Sequence, residues 1–204
     1  MPLVTEKDIK YMMLSDSDYL FCVDTARKLC ESIVDRHDLH GRDIMEKFNN
    51  VLMGEVAEMM VIRWLQSNGK YAVSAVDKSS GQPDQGYDIC LKNHKGRELR
   101  CSVKSSLSFK LSPPVILKSC KLASKRSEIK DVNIQVYFWL NLNPGNAGSR
   151  VTTPCINNAA IFSWLGGLDA DKFQTASYSN QDREVLECVL EQGRSMDNLL
   201  EFIA

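Results

Sequence analysis

Between Leu99 and Lys104 the side chains alternate, with Leu99, Cys101 and Val103 set against Arg100, Ser102 and Lys104. A period of two is the signature of a strand buried on one face. Just upstream, Gly86-Tyr87-Asp88-Ile89-Cys90-Leu91 reads as a second strand. The polar stretch Lys92-Asn93-His94-Lys95-Gly96-Arg97 joins the two, with Gly96 supplying turn flexibility. The pattern puts Ser102 and Lys104 on one face and the apolar set on the other. A carboxylate opening one strand beside a lysine on the next is the minimum kit for metal-assisted phosphodiester cleavage. The carboxylate holds the cation, and the lysine orients water and balances phosphate charge.

The flanking sequence reads as mixed α/β. Thr5-Glu6-Lys7-Asp8 has capping-box spacing and predicts a helix ending near Leu14. Ser15 or Asp16 caps a second helix over 18–36, with Leu20, Val23, Leu29, Ile33 and Val34 on its apolar side. His37 and His40 read as a polar helix end, not as ligands. A third helix spans 43–67, its stripe made by Phe48, Leu52, Val56, Met59 or Met60, and Leu65, and Asn68-Gly69 ends it. On that helix Glu55 and Glu58, taken alone, are solvated glutamates. A strand over 71–76 follows, then the polar loop 79–85. Pro113-Pro114 reads as a break, and the basic stretch 115–130 as a crossover helix. Residues 132–142 form the longest apolar run, β-branched and aromatic, suited to a buried strand. A short strand at 159–164 and an amphipathic helix over 181–202 close the chain. Trp139 and Trp164 read as core residues.

Length and charge narrow the classes. A chain of 204 residues suits one well-buried domain. The subdivision expected is N-terminal helices over 1–42, a catalytic core over 43–165 and a helical segment over 166–204. A net charge of −1 excludes steering of polyanions by the molecule as a whole, so any such site must be a local patch. Seven cysteines are scattered with no CxxC, which points to free thiols, a reducing compartment and no structural zinc. The first eight residues lack a basic and then apolar leader, and no apolar run is long enough to cross a bilayer. The expectation is a cytoplasmic protein with no membrane partner.

Three separated groups, Glu58, Asp88 and Lys104, have an order and spacing that resembles the PD-(D/E)xK nuclease superfamily. The resemblance covers 54–106. Gly54-x-x-x-Glu58 and the strand 71–76 look like the family's first helix and strand. Gly86-Tyr87-Asp88-Ile89 looks like its metal-binding Asp motif, and Cys101-Ser102-Val103-Lys104 like its acid-x-Lys strand. The literal Pro83-Asp84 lies in a loop and is set aside in favour of Asp88. The chain departs from the family at Ser102, where an acid is usual, and a serine hydroxyl is a poor Mg²⁺ ligand. A subgroup of restriction endonucleases with Ser-x-Lys followed by Arg-x-Glu is similar here, through Ser102-Val103-Lys104 and Arg126-Ser127-Glu128. The 21-residue gap between Lys104 and Arg126 is long for that pattern, and Pro113-Pro114 would be the loop that absorbs the excess. Glu55 is a second compensating acid.

The resemblance implies a restriction-endonuclease-like mixed central sheet flanked by helices. It implies a Mg²⁺-dependent, site-specific double-strand endonuclease, with Mn²⁺ as an alternative cation. Asp88, Glu58 and Glu128 would be the metal ligands, and Lys104 and Ser102 would complete the catalytic set. Lys118, Lys121, Lys125, Arg126 and Lys130 would contact the nucleic-acid backbone. Loops 79–85 and 143–152 carry donors and acceptors suited to base readout. Cutting both strands implies a homodimer. Two other readings are a junction-resolving repair nuclease, whose family keeps the acid that Ser102 replaces, and a DNA-binding protein that has lost its metal site.

Overall fold

The computed structural model describes residues 3–31, 41–76, 86–108, 111–139, 159–164, 167–177 and 184–204. A six-stranded mixed sheet runs in the order β1-β7-β6-β4-β3-β2. Its strands are β1 (Lys10–Met12), β2 (Ala72–Ser74), β3 (Ile89–Lys92), β4 (Glu98–Ser108), β6 (Val132–Trp139) and β7 (Ala159–Trp164). A second, three-stranded antiparallel sheet holds β5 (Lys121–Lys125), β9 (Glu184–Val189) and β8 (Gln174–Ser177), in that order. The helices are α1 (Asp16–Cys30), α2 (Ile44–Ser67), α3 (Pro113–Ser119) and α4 (Met196–Phe202).

The alternation that opens the sequence argument sorts the layers. Ile89, Leu91, Leu99 and Cys101 join Ile134, Val136 and Phe138 against Leu52, Val56, Met60 and Leu65 of α2. Each large aliphatic side chain buried there contributes about 1.5–3 kcal/mol. Helix α2 starts where Asp43 accepts a hydrogen bond from the Glu46 N–H at 2.8 Å. It ends at Asn68-Gly69, where Gly69 takes a positive φ of 73°.

Strand β6 is buried on both sides, as its apolar run predicted. Val136 and Phe138 enter the α2 core, while Tyr137 enters a second cluster with Ile116, Leu117, Leu122, Leu186 and Leu190. Strands β4 and β6 are parallel, so the chain must cross one face of the sheet to connect them. Helix α3 and strand β5 lie in that crossover, on the Tyr137 side and opposite α2.

Several sequence expectations are corrected. The Thr5 capping box forms, with the Thr5 N–H and hydroxyl both bonded to Asp8, but it caps a single 3-10 turn, Glu6–Asp8. The chain then extends, because β1 finds an edge partner in β7. On α1 the buried residues are Cys22, Thr25, Ala26 and Cys30, and Leu20 is exposed. Residues 115–130 are not one helix: α3 ends at Ser119, β5 follows, and Arg126–Glu128 form a 3-10 turn. Pro113-Pro114 occupy the first positions of α3, where a missing N–H costs nothing, and do not form a loop. The helix expected over 181–202 is instead β9, a short 3-10 turn and α4, since Leu186 and Cys188 are needed by the small sheet's own core. His37, His40, Asp84, loops 79–85 and 143–152 and the side chains of Trp139 and Trp164 lie outside the described residues.

Candidate active site

The β3–β4 hairpin is built by local chemistry. The Asn93 side chain accepts the N–H groups of Lys95 and Arg97, each at 3.0 Å, and Gly96 adopts φ +76°. Strand register then places Ile89 opposite Cys101, which sets Asp88 opposite Ser102. The Asp88 backbone continues the ladder beyond β3: its N–H donates to the Cys101 carbonyl, and its carbonyl accepts from the Ala75 N–H, both at 2.9 Å. The carboxylate is therefore delivered by regular sheet geometry.

Asp88 Oδ2 accepts the Val103 N–H at 2.6 Å and the Ser102 hydroxyl at 3.2 Å. Serine at 102 thus acts as a donor that orients Asp88, a role open to neither Asp nor Glu in its ionised form. Two residues further along the same face, Lys104 Nζ lies 3.9 Å from Glu128 Oε2. Lys125 Nζ approaches the other oxygen of Glu128 at 3.2 Å. Burial pushes the Glu128 carboxyl up, but the Lys125 hydrogen bond and the nearby Lys104 charge outweigh it, and the net shift is downward. Topology explains the meeting: the crossover returns from β5 to the start of β6, and Glu128 lies on that return beside β4. The long gap between Lys104 and Glu128 is filled by α3 and β5.

Glu58 arrives from the other side. It projects from α2 and is 6% exposed, so it is not the solvated helix glutamate that sequence alone suggests. The fully buried Cys101 thiol is held well above its ordinary range, first by burial and then by the charges of Asp88 and Glu58. Both carboxylates therefore act on one buried sulfur. Glu55 sits one turn earlier, half-buried on α2. Among the described residues, no group of three or more His, Cys, Asp or Glu side chains is placed to hold a metal ion.

The donor set still fits a hard cation of one kind. Its oxygens are carboxylates and a hydroxyl, and the one nearby sulfur stays protonated, which disfavours a thiophilic metal. Mg²⁺ binds through one or two carboxylates and completes its shell with water and substrate phosphate. Asp88 and Glu128 are the two carboxylates on this face that such a cation would need.

The five basic residues expected to act together are separated by the fold. Lys121 is paired with the buried carboxylate of Glu187 on β9. Lys118 is exposed at the end of α3 and Arg126 in the 3-10 turn, and Lys125 is bound to Glu128. Lys130 reaches the turn before Asp88: a Cβ added to Gly86 would lie 3.8 Å from its ammonium nitrogen.

Sequence reading missed two polar residues next to this face. Asn133 pairs in register with Ser102, and Gln135 with Lys104; both are buried. Gln135 donates to the Ser106 hydroxyl at 3.3 Å and to the Val136 carbonyl at 3.1 Å. A signal was there: Asn133 and Gln135, at alternate positions on one face, interrupt the apolar run that starts at Val132. No protein-family model, curated protein or solved structure matches the chain.

Proposed function

We propose that this chain is a Mg²⁺-dependent endonuclease acting on duplex DNA, with the restriction-endonuclease-like core that the sequence resembles. One observation carries the reading. Residues 88, 102, 104 and 128, far apart in sequence, are chained along one sheet face by the Asp88–Ser102 hydrogen bond and the Lys104–Glu128 ion pair. Ser102 and the Val103 N–H fix the Asp88 carboxylate against rotation. Asp88 and Glu128 would hold the cation, with Glu58 reinforcing the negative field from below the sheet. Mg²⁺, when bound, supplies Lewis acidity toward a phosphoryl oxygen and a more acidic bound water. Lys104 orients the attacking water and offsets the charge that builds on the phosphate, a role its ion pair with half-exposed Glu128 leaves it able to fill. Lys125 and Arg126, at the Glu128 end of the crossover, would suit a phosphate backbone. Two copies of the chain would cut the two strands.

The test is digestion of supercoiled plasmid with Mg²⁺, with EDTA and Asp88→Asn as controls. Discrete linear fragments support a site-specific enzyme, and nicking or smearing supports a less selective one. No cutting by the wild-type chain at any Mg²⁺ or Mn²⁺ concentration contradicts the proposal. A second reading, a duplex-binding protein without catalysis, is favoured by Ser102 at the usual acid position together with the lack of a three-ligand group among the described residues. It predicts duplex binding by the wild type that neither Mg²⁺ nor Mn²⁺ converts into cutting.

A further inference from the structure

Lys130 differs from the other basic residues of the crossover. Its backbone is gripped at both polar groups by one side chain: the Lys130 N–H donates to Asn133 Oδ1 at 3.1 Å, and Asn133 Nδ2 donates to the Lys130 carbonyl at 3.0 Å. Asn133 is 1% exposed and sits in the middle of the sheet, in register with Ser102. A buried amide that satisfies both a donor and an acceptor of one residue fixes where that residue can be. The side chain so placed points its ammonium at Gly86, two residues before Asp88. Gly86 has φ +77° and carries no side chain to bar the approach. Lys104 and Lys125 are each within ion-pair distance of Glu128, whereas among the described residues no carboxylate is paired with Lys130.

A cation held by a buried clamp, unpaired among the described residues and aimed at the turn that presents Asp88, has the form of an anion anchor. We propose that Lys130 binds a backbone phosphate of the nucleic acid beside Asp88, and that Asn133 is the positioning residue that sets it there. The row Asp88, Ser102, Asn133 then spans three neighbouring strands: the first two set the carboxylate, and the third sets the phosphate it works beside. The inference rests on the nuclease reading for its substrate class. It needs only binding, so it can fail or stand independently of cutting.

The experiment is fluorescence anisotropy of the full chain with a labelled 20-base-pair duplex in EDTA, over a series of KCl concentrations. Each phosphate contact adds about 0.9 to the slope of log affinity against log salt. Lys130→Ala should weaken binding and flatten that slope by about 0.9, and Lys130→Arg should restore both. Lys28→Ala, an exposed lysine on α1, should change neither. Asn133→Ala, checked for folding by circular dichroism, should flatten the slope with Lys130 still present, and the double variant should be no worse than Lys130→Ala. If Asn133→Ala does not fold, Lys130→Ala against Lys130→Arg still decides the anchor. An unchanged slope in Lys130→Ala, additive losses in the double variant, or no duplex binding by the wild type would overturn the inference. A slope change without any cutting would keep the anchor and refute the nuclease.

Discussion

Two charged clusters in this molecule use the same residue types to opposite ends. Asp169 is 2% exposed and is closed on by Arg194, which donates to both its oxygens at 2.6 and 2.8 Å, with Lys172 at 3.5 Å. On one face of the large sheet, Lys104 stands 3.9 Å from Glu128, with 39% and 41% of their side chains exposed. The first cluster is saturated: a buried carboxylate matched by a two-pronged guanidinium leaves nothing for a substrate to take up. The second is loosely paired and open, so each charge can exchange its partner for a cation or a phosphate at small cost. Ion pairing alone does not mark a site; closure separates a clasp from a surface that a ligand can reach.

The comparison breaks first, and by the largest margin, at Asp169. Asp169→Ala removes the buried carboxylate on which Arg194 and Lys172 close and should cost about 3–5 kcal/mol in urea-monitored unfolding. On the proposed nuclease reading, the protein that remains folded should cut as fast as the wild type. Next comes Lys104→Ala, which should leave stability within about 0.5 kcal/mol and slow cleavage by about 10²–10³-fold. A Lys104→Ala variant that unfolds early would show that the open cluster is structural after all. Ser102→Ala removes one hydrogen bond to an ionised carboxylate. It should cost about 1.5–3 kcal/mol of stability, with a smaller loss of cutting than Lys104→Ala, because the Val103 N–H still holds Asp88.

The smallest effects come from pH. Burial pushes Asp169 and Glu128 up, but their hydrogen bonds to Arg194 and Lys125 and the surrounding positive charges bring both below their ordinary values of 3.8 and 4.5. The unfolded chain therefore takes up protons first as pH falls. The stabilisation is present above those ordinary values and is lost as pH drops through the folded-state ones. Asp169→Asn should blunt the acid loss clearly, and Glu128→Gln only slightly, since Glu128 is well solvated. At the other extreme Tyr137, raised chiefly by burial and then by its hydrogen bond with Cys120, is pushed up to about 12. The unfolded chain gives up this proton near pH 10, so stability should fall from about pH 10 toward 12, and Tyr137→Phe should remove that fall.

The parts of the fold that sequence revealed are those with one clear period. The hairpin at 86–106 follows from alternation, helix α2 from a stripe over a long window, and strand β6 from its apolar, β-branched run. The small sheet was hidden because β9 is only six residues long and has apolar side chains at helix-compatible spacing. Its partner β5 carries the alternation Leu122 and Ser124 in, Lys121 and Ala123 out, masked by its positive charge. Within the candidate site, the motif singled out Asp88, Lys104 and Glu128 by residue type, and the fold brings Asp88 to Ser102 and Lys104 to Glu128. It could not give Asn133, whose importance comes from register with Ser102, nor the burial of Glu58, which depends on how α2 lies on the sheet.

Most direct is a single-turnover assay with end-labelled duplex DNA, comparing the wild type with Lys104→Ala and Asp88→Asn at saturating protein and 10-fold steps of Mg²⁺. If the open cluster cleaves phosphodiesters, the wild type cuts only with the cation, and each variant loses at least about 100-fold in rate while still binding the duplex. Equal rates for all three proteins, or a wild type that binds but never cuts, would contradict that claim.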